Sequence, residues 1–115
     1  MNLKRFNKES SYEDILVALN KDAAVIIEDL ISIELVNKIN SQLKPYLKNC
    51  YSGKSEFSGL NTVRIGALIA RSSACRELAM NRLIRKVLDG FLLPFCDDYQ
   101  INLSQAVSIG PNEKP

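Results

Sequence analysis

Tyr99-Gln-Ile-Asn-Leu-Ser-Gln-Ala-Val-Ser-Ile-Gly-Pro-Asn-Glu-Lys-Pro115 is the stretch whose reading decides the fold. From Tyr99 to Ile109 it alternates as a strand does. Ile101, Leu103, Val107 and Ile109 fall on one face, and Asn102, Ser104, Ala106 and Ser108 on the other. Gly110-Pro111-Asn112 then supplies turn chemistry. A strand with an apolar face needs partner strands and a covering layer. Only Glu113-Lys114-Pro115 follows, so the stretch reads as a lead-in to a sheet whose larger part lies elsewhere.

Working outward, composition bounds the rest. The 115 residues suit one domain with a modest core. A formal charge of +2, from 15 basic and 13 acidic residues, argues against nucleic acid or an anionic membrane as partner. Cys50, Cys75 and Cys96 are widely spaced and odd in number, which points to ordinary thiols in a reducing compartment. The N-terminus lacks the apolar run of a signal peptide, and Ala23–Ile27 is far too short to span a bilayer, so the expected location is the cytoplasm. The chain contains no histidine. That excludes a His-based zinc or iron site, a Ser-His-Asp triad and a Cys-His pair within it.

The periodicity predicts loose polar chain over residues 1–9 and a helix over about 11–20, started by Ser10 and Glu13 as a capping box. Ala23–Ile27 reads as a short buried strand. Ser32 then opens a helix with Leu35, Ile39, Leu43 and Leu47 on one stripe, which Pro45 should bend or end near Lys44. Lys48 to Asn61 is a long polar loop, and Thr62-Val-Arg-Ile65 is a strand closed by Gly66. Ala67–Ala70 either extends that strand or begins a turn of helix. Ser72 or Ser73 starts a helix through Met80, and Asn81 caps another over about 82–92.

Among candidates for chemistry, Glu28-Asp29 and Asp97-Asp98 are sequence neighbours at element ends, better explained as boundaries than as a catalytic pair. Gly53 and Gly59 do not form a phosphate cradle, and Arg82, Arg85 and Lys86 read as a solvated helix face. Cys75 lies near Arg71 and Arg76 but has no histidine to activate it, so it reads as a structural thiol. Arg64 shares a strand face with Thr62, and either faces solvent or reaches into a pocket for a carboxylate. Gln105 falls by parity on the apolar face, where a buried amide either ties backbone or lines a polar pocket.

Three stretches together resemble the phytanoyl-CoA dioxygenase family of Fe(II)- and 2-oxoglutarate-dependent oxygenases. They are Lys21–Ser32 with Glu34-Leu-Val36, then Thr62–Gly66 with Ala70-Arg-Ser72 and the helix Glu77–Leu88, and finally Tyr99–Lys114, which is similar to the strand and turn leading into the family's His-x-Asp pair. The resemblance implies an α+β fold, with helices and short strands leading into an incomplete double-stranded β-helix (jelly roll). It implies that Thr62, Arg64, Ser104 and Gln105 border a pocket for a small-molecule substrate. Fe(II) and 2-oxoglutarate are implied for a full-length relative, while this chain, lacking the iron ligands, should bind neither and be inactive. The alternative is a non-catalytic α+β interaction or scaffold module that pairs, with a partner or itself, through the strand edge at 99–109.

Overall fold

The computed structural model describes residues 3–53, 55 and 59–112. The chain gathers into two compact units. One holds the stretch up to Ile33 with Glu77–Gln100, and the other holds Glu34–Arg76 with the stretch from Ile101 onward.

In the first unit, strand β1 (Arg5–Asn7) runs parallel to β2 (Ile26–Glu28), with Phe6 opposite Ile27. Residues expected to be loose thus contribute a strand, because Phe6 is buried in the core and an Arg5–Glu28 ion pair of 2.6 Å joins the two strands. Between them lies helix α1 (Tyr12–Asp22). Its N-cap is Ser11, whose Oγ accepts from the Asp14 N–H at 3.3 Å and donates to Glu13 Oε2 at 2.8 Å. Ser10, the expected cap, instead closes a turn with Asn7. These contacts, the backbone N–H of Glu13 first and the Ser11 hydroxyl second, hold the Glu13 carboxyl below its ordinary pKa. Ala23 ends the helix in the left-handed conformation (φ 58°), its N–H donating to Leu19 O, so β2 starts later than the apolar run suggests.

Helix α5 (Arg82–Leu92) begins at Asn81, whose Oδ1 accepts from the N–H groups of Leu83 and Ile84. Ile15, Ala18, Phe6 and Val87 form the core of this unit, with Tyr12, Leu19, Val25, Ile27 and Leu83 packed around them. Ile15 is fully buried, which stabilises the unit by about 2–3 kcal/mol relative to leaving it exposed. The Lys86 ammonium lies 3.7 Å from the Tyr12 ring centre, a cation–π contact between α5 and α1.

The second unit contains most of helix α2 (Ile33–Lys48). Pro45 lies inside α2 and does not end it. The missing N–H costs one hydrogen bond, but Leu43 and Leu47 on either side pack into the core with Ile65 and Cys75, and that burial holds the last turn. Strand β3 (Thr62–Gly66) pairs antiparallel with β4 (Gln105–Ile109), with Thr62 opposite Ile109, Arg64 opposite Val107 and Gly66 opposite Gln105. Two short helices follow β3: α3 (Leu68–Arg71), and α4 (Ser73–Ala79), which begins in this unit.

Two expectations about the last strand are corrected. The strand covers Gln105–Ile109, not 99–109. Its inward residue is Ala106, which faces Ile65 across the ladder and packs on the core. Val107 and Ile109 are 47% and 69% exposed, and Gln105 is exposed as well, so the side that looks apolar in the sequence points out. Among the described residues no helix is long and apolar enough to cross a membrane.

Candidate functional site: a groove beside the last strand

The groove is built where β3 gives way to α3. Gly66 is the last residue paired with β4, and Ala67 then takes the left-handed conformation (φ 56°), which turns the chain sharply into α3. Ala67 is the N-cap of α3 and has no side chain to accept from the helix's first N–H groups. Ser104 supplies that function from a distant part of the chain, its Oγ accepting from the Leu68 N–H at 3.1 Å. This bond fixes the segment before β4 against the start of α3. Between them lies an open groove of about 400 Å³ lined by Ala67, Ile69, Ile101, Asn102, Leu103 and Ser104.

Among the described residues no charged side chain lines the groove. Ile101 and Leu103 are 59% and 69% exposed on its rim, and Asn102 and Ser104 give it hydrogen-bonding groups. Its volume falls within the range of small-molecule sites.

The four residues expected at a pocket fare differently. Ser104 lines the groove, and Gln105 is its chain neighbour at the start of β4, exposed and not buried as parity suggested. Thr62 is buried at the far end of the β3–β4 ladder, where its backbone bonds Gly53 and Gly59. Arg64 is exposed beside Val107, and its carbonyl accepts from the Cys50 thiol at 3.2 Å. Thr62 and Arg64 are therefore not brought to the groove. Sequence reasoning missed Ala67 and Ile69. The one available signal was the undecided run Ala67–Ala70, directly after a strand-ending glycine.

The remaining acidic and thiol groups have structural partners or lie apart. Glu28 pairs with Arg5, and Asp98 Oδ1 accepts from the Tyr99 N–H. Asp89 accepts a short 2.5 Å bond from the Tyr99 hydroxyl, and this bond, before any other effect, raises the Tyr99 pKa. Cys50, Cys75 and Cys96 are free thiols, and only Cys75 is buried. No group of three or more His, Cys, Asp or Glu side chains gathers among the described residues.

No protein-family model matches the chain. It is 30% identical over 110 residues to the dioxygenase olcK of Penicillium canescens, across 89% of this chain and 36% of that protein. It is 37% identical over 82 residues to the dioxygenase swnH2 of Arthroderma benhamiae, across 69% of this chain and 26% of the relative. A second protein from that organism, the dioxygenase swnH1, is 25% identical across 96% of this chain and 37% of its own length. The chain is similar to dioxygenases. It spans about a quarter to two fifths of the length of the curated relatives it matches.

Proposed function

We propose that this chain is part of a phytanoyl-CoA dioxygenase-like, Fe(II)- and 2-oxoglutarate-dependent oxygenase that hydroxylates or otherwise oxidises a small organic substrate. The observation that carries the reading is the similarity of nearly the whole chain to proteins named dioxygenase. In this reading β3 and β4 belong to a double-stranded β-helix, and the helices flank it.

The residues present do not fit the iron. A non-haem Fe(II) oxygenase site takes two histidines and a carboxylate. This chain has no histidine, and among its described residues no three candidate ligands converge. In this reading the chain helps to shape the substrate site and does not itself supply the two histidines. Ser104 holds the groove wall through the Leu68 N–H, and the described lining, which is uncharged, suits an uncharged part of a substrate.

The test is Fe(II)-dependent formation of succinate from 2-oxoglutarate. It is made on the product of the whole open reading frame encoding these residues and, separately, on the 115-residue chain. Succinate from the first and none from the second is the expected result. A reading frame without a His-x-Asp pair, or a product that neither binds nor consumes 2-oxoglutarate, would overturn the proposal and favour a non-catalytic interaction module.

A further inference from the structure

We infer that the groove beside β4 binds a neutral secondary amide carrying an apolar substituent. Calling that ligand the substrate rests on the oxygenase reading, whereas its chemical class comes from the groove's own side chains. Ser104 Oγ accepts from the Leu68 N–H, and its O–H proton has no acceptor among the described residues. A hydroxyl that accepts one bond can still donate another. The Asn102 side chain makes no hydrogen bond among the described residues, and it offers both an N–H donor and a carbonyl acceptor.

Leu103 alone separates Asn102 from Ser104 in the chain, which keeps their Cα atoms within roughly 7 Å of each other. One small molecule can therefore meet both. Beside them Ile69, Ile101 and Leu103 are the large apolar groups of the described lining. Ile101 and Leu103 are 59% and 69% exposed, and covering that surface favours a ligand with an apolar part.

The polar part of the ligand follows by matching donors to acceptors. A carboxylate offers acceptors alone and an ammonium donors alone, and each would give up hydration to a described lining that holds no opposite charge. An ester satisfies the Ser104 proton but leaves Asn102 Oδ1 without a donor. An alcohol has to serve both side chains from one oxygen. A secondary amide accepts from the Ser104 hydroxyl at its C=O and donates from its N–H to Asn102 Oδ1, on two separate atoms and without charge. The groove, at about 400 Å³, has room for that group and a ring attached to it.

The test is an NMR titration with N-benzylacetamide, without iron or 2-oxoglutarate, of the isotope-labelled 115-residue chain. The product of the whole open reading frame is titrated beside it and decides the matter should the shorter chain not fold. Phenylacetate, benzylammonium and benzyl alcohol keep the ring and change the polar group. The amide should give saturable shifts at Leu68, Ile69, Leu103 and the Asn102 side-chain amide, with a dissociation constant on the order of millimolar. Each comparison compound should bind at least fivefold more weakly. Asn102→Ala, at an exposed position, should weaken the amide at least threefold. Leu103→Asp should weaken it at least fivefold and reverse the order, so that benzylammonium binds the tighter of the two. Val17→Asp, exposed on α1, should change amide binding less than twofold. No saturable shift, shifts that map away from the groove, phenylacetate or benzyl alcohol binding as tightly as the amide, or unaltered binding in both groove variants would each overturn the inference. Amide binding without succinate formation by the whole product would refute the oxygenase reading and leave the groove a binding site. Succinate formation without amide binding would refute the groove assignment alone.

Discussion

Replacing Gln42 by leucine removes a hydrogen-bonding side chain that ties α2 to the start of α4. Gln42 Oε1 accepts from the Ser72 hydroxyl at 2.6 Å and from the Ala74 N–H at 3.1 Å, while its Nε2 donates to Ser73 Oγ at 3.1 Å. Ser72 and Ala74 are 1% and 0% exposed, so water cannot readily replace the lost acceptor. Each buried donor left unsatisfied costs about 1–3 kcal/mol. The added apolar surface of leucine offsets roughly 1 kcal/mol of this. The Ser72 cap on the Cys75 N–H, at 3.0 Å, survives. The net expectation is a loss of about 2 kcal/mol, or roughly 6–10 °C in Tm for a chain of this size. Thermal unfolding of the 115-residue chain, followed by circular dichroism, measures it. Gln42→Glu is the informative comparison, because its carboxylate keeps both acceptors and loses only the donor to exposed Ser73, so it should stay within about 1 kcal/mol of the parent. A Gln42→Leu protein melting within about 1 °C of the parent, against the conversion used above, would refute the reasoning. So would a Gln42→Glu protein that falls as far as the leucine variant.

Two glycine substitutions should diverge. In Gly110→Ala the new Cβ meets Asn61 Cβ at 2.6 Å and the Asn61 carbonyl at 2.7 Å, and it strains the Gly110 N–H bond to that carbonyl, so urea unfolding should show a loss of about 1–3 kcal/mol. In Gly90→Ala the close atom is a terminal methyl of Leu16, at 2.9 Å, which can rotate away, and better helix propensity leaves the protein within about 1 kcal/mol of the parent. Ser104→Ala deprives the Leu68 N–H of its acceptor and should cost about 1 kcal/mol, with faster amide exchange at Leu68 as the specific sign. Tyr99→Phe removes the bond to Asp89. Because that bond raises the tyrosine pKa, its stabilisation is complete below the ordinary tyrosine range and is lost as pH rises through the folded-state pKa. Urea midpoints of parent and variant should therefore differ at neutral pH and converge in strong alkali, whereas parallel curves would show that the hydroxyl bond contributes nothing.

Local signals in the sequence located several elements because their causes are local. Asn81 caps α5 with its own side chain, and Leu83 and Val87 recur at helical spacing on the face that packs. Thr62–Gly66 is bounded by its own glycine and β-branched residues. Where two local solutions compete, the reading slipped. Ser10 and Ser11 both suit a cap, and the choice fell to Ser11 because Ser10 bonds Asn7. Pro45 was expected to bend or end α2 near Lys44, and the helix runs on to Lys48 because Leu43 and Leu47 pack against residues far along the chain. The candidate site was only partly legible for the same reason. Ser104 and Leu68 meet across 36 positions, a separation over which no helical or strand period carries information.

Sequence alone determined that these 115 residues contain no histidine and hence no two-histidine iron site, and that Tyr99 to Ile109 is an uncharged, alternating stretch. Those are matters of composition and period, which no folding changes. Only the tertiary structure decided which side of that stretch is buried. Alternation divides a strand into two faces but does not say which one meets the core. That choice was made by Ile65, which sits opposite Ala106 and is 3% exposed, leaving Val107 and Ile109 turned outward.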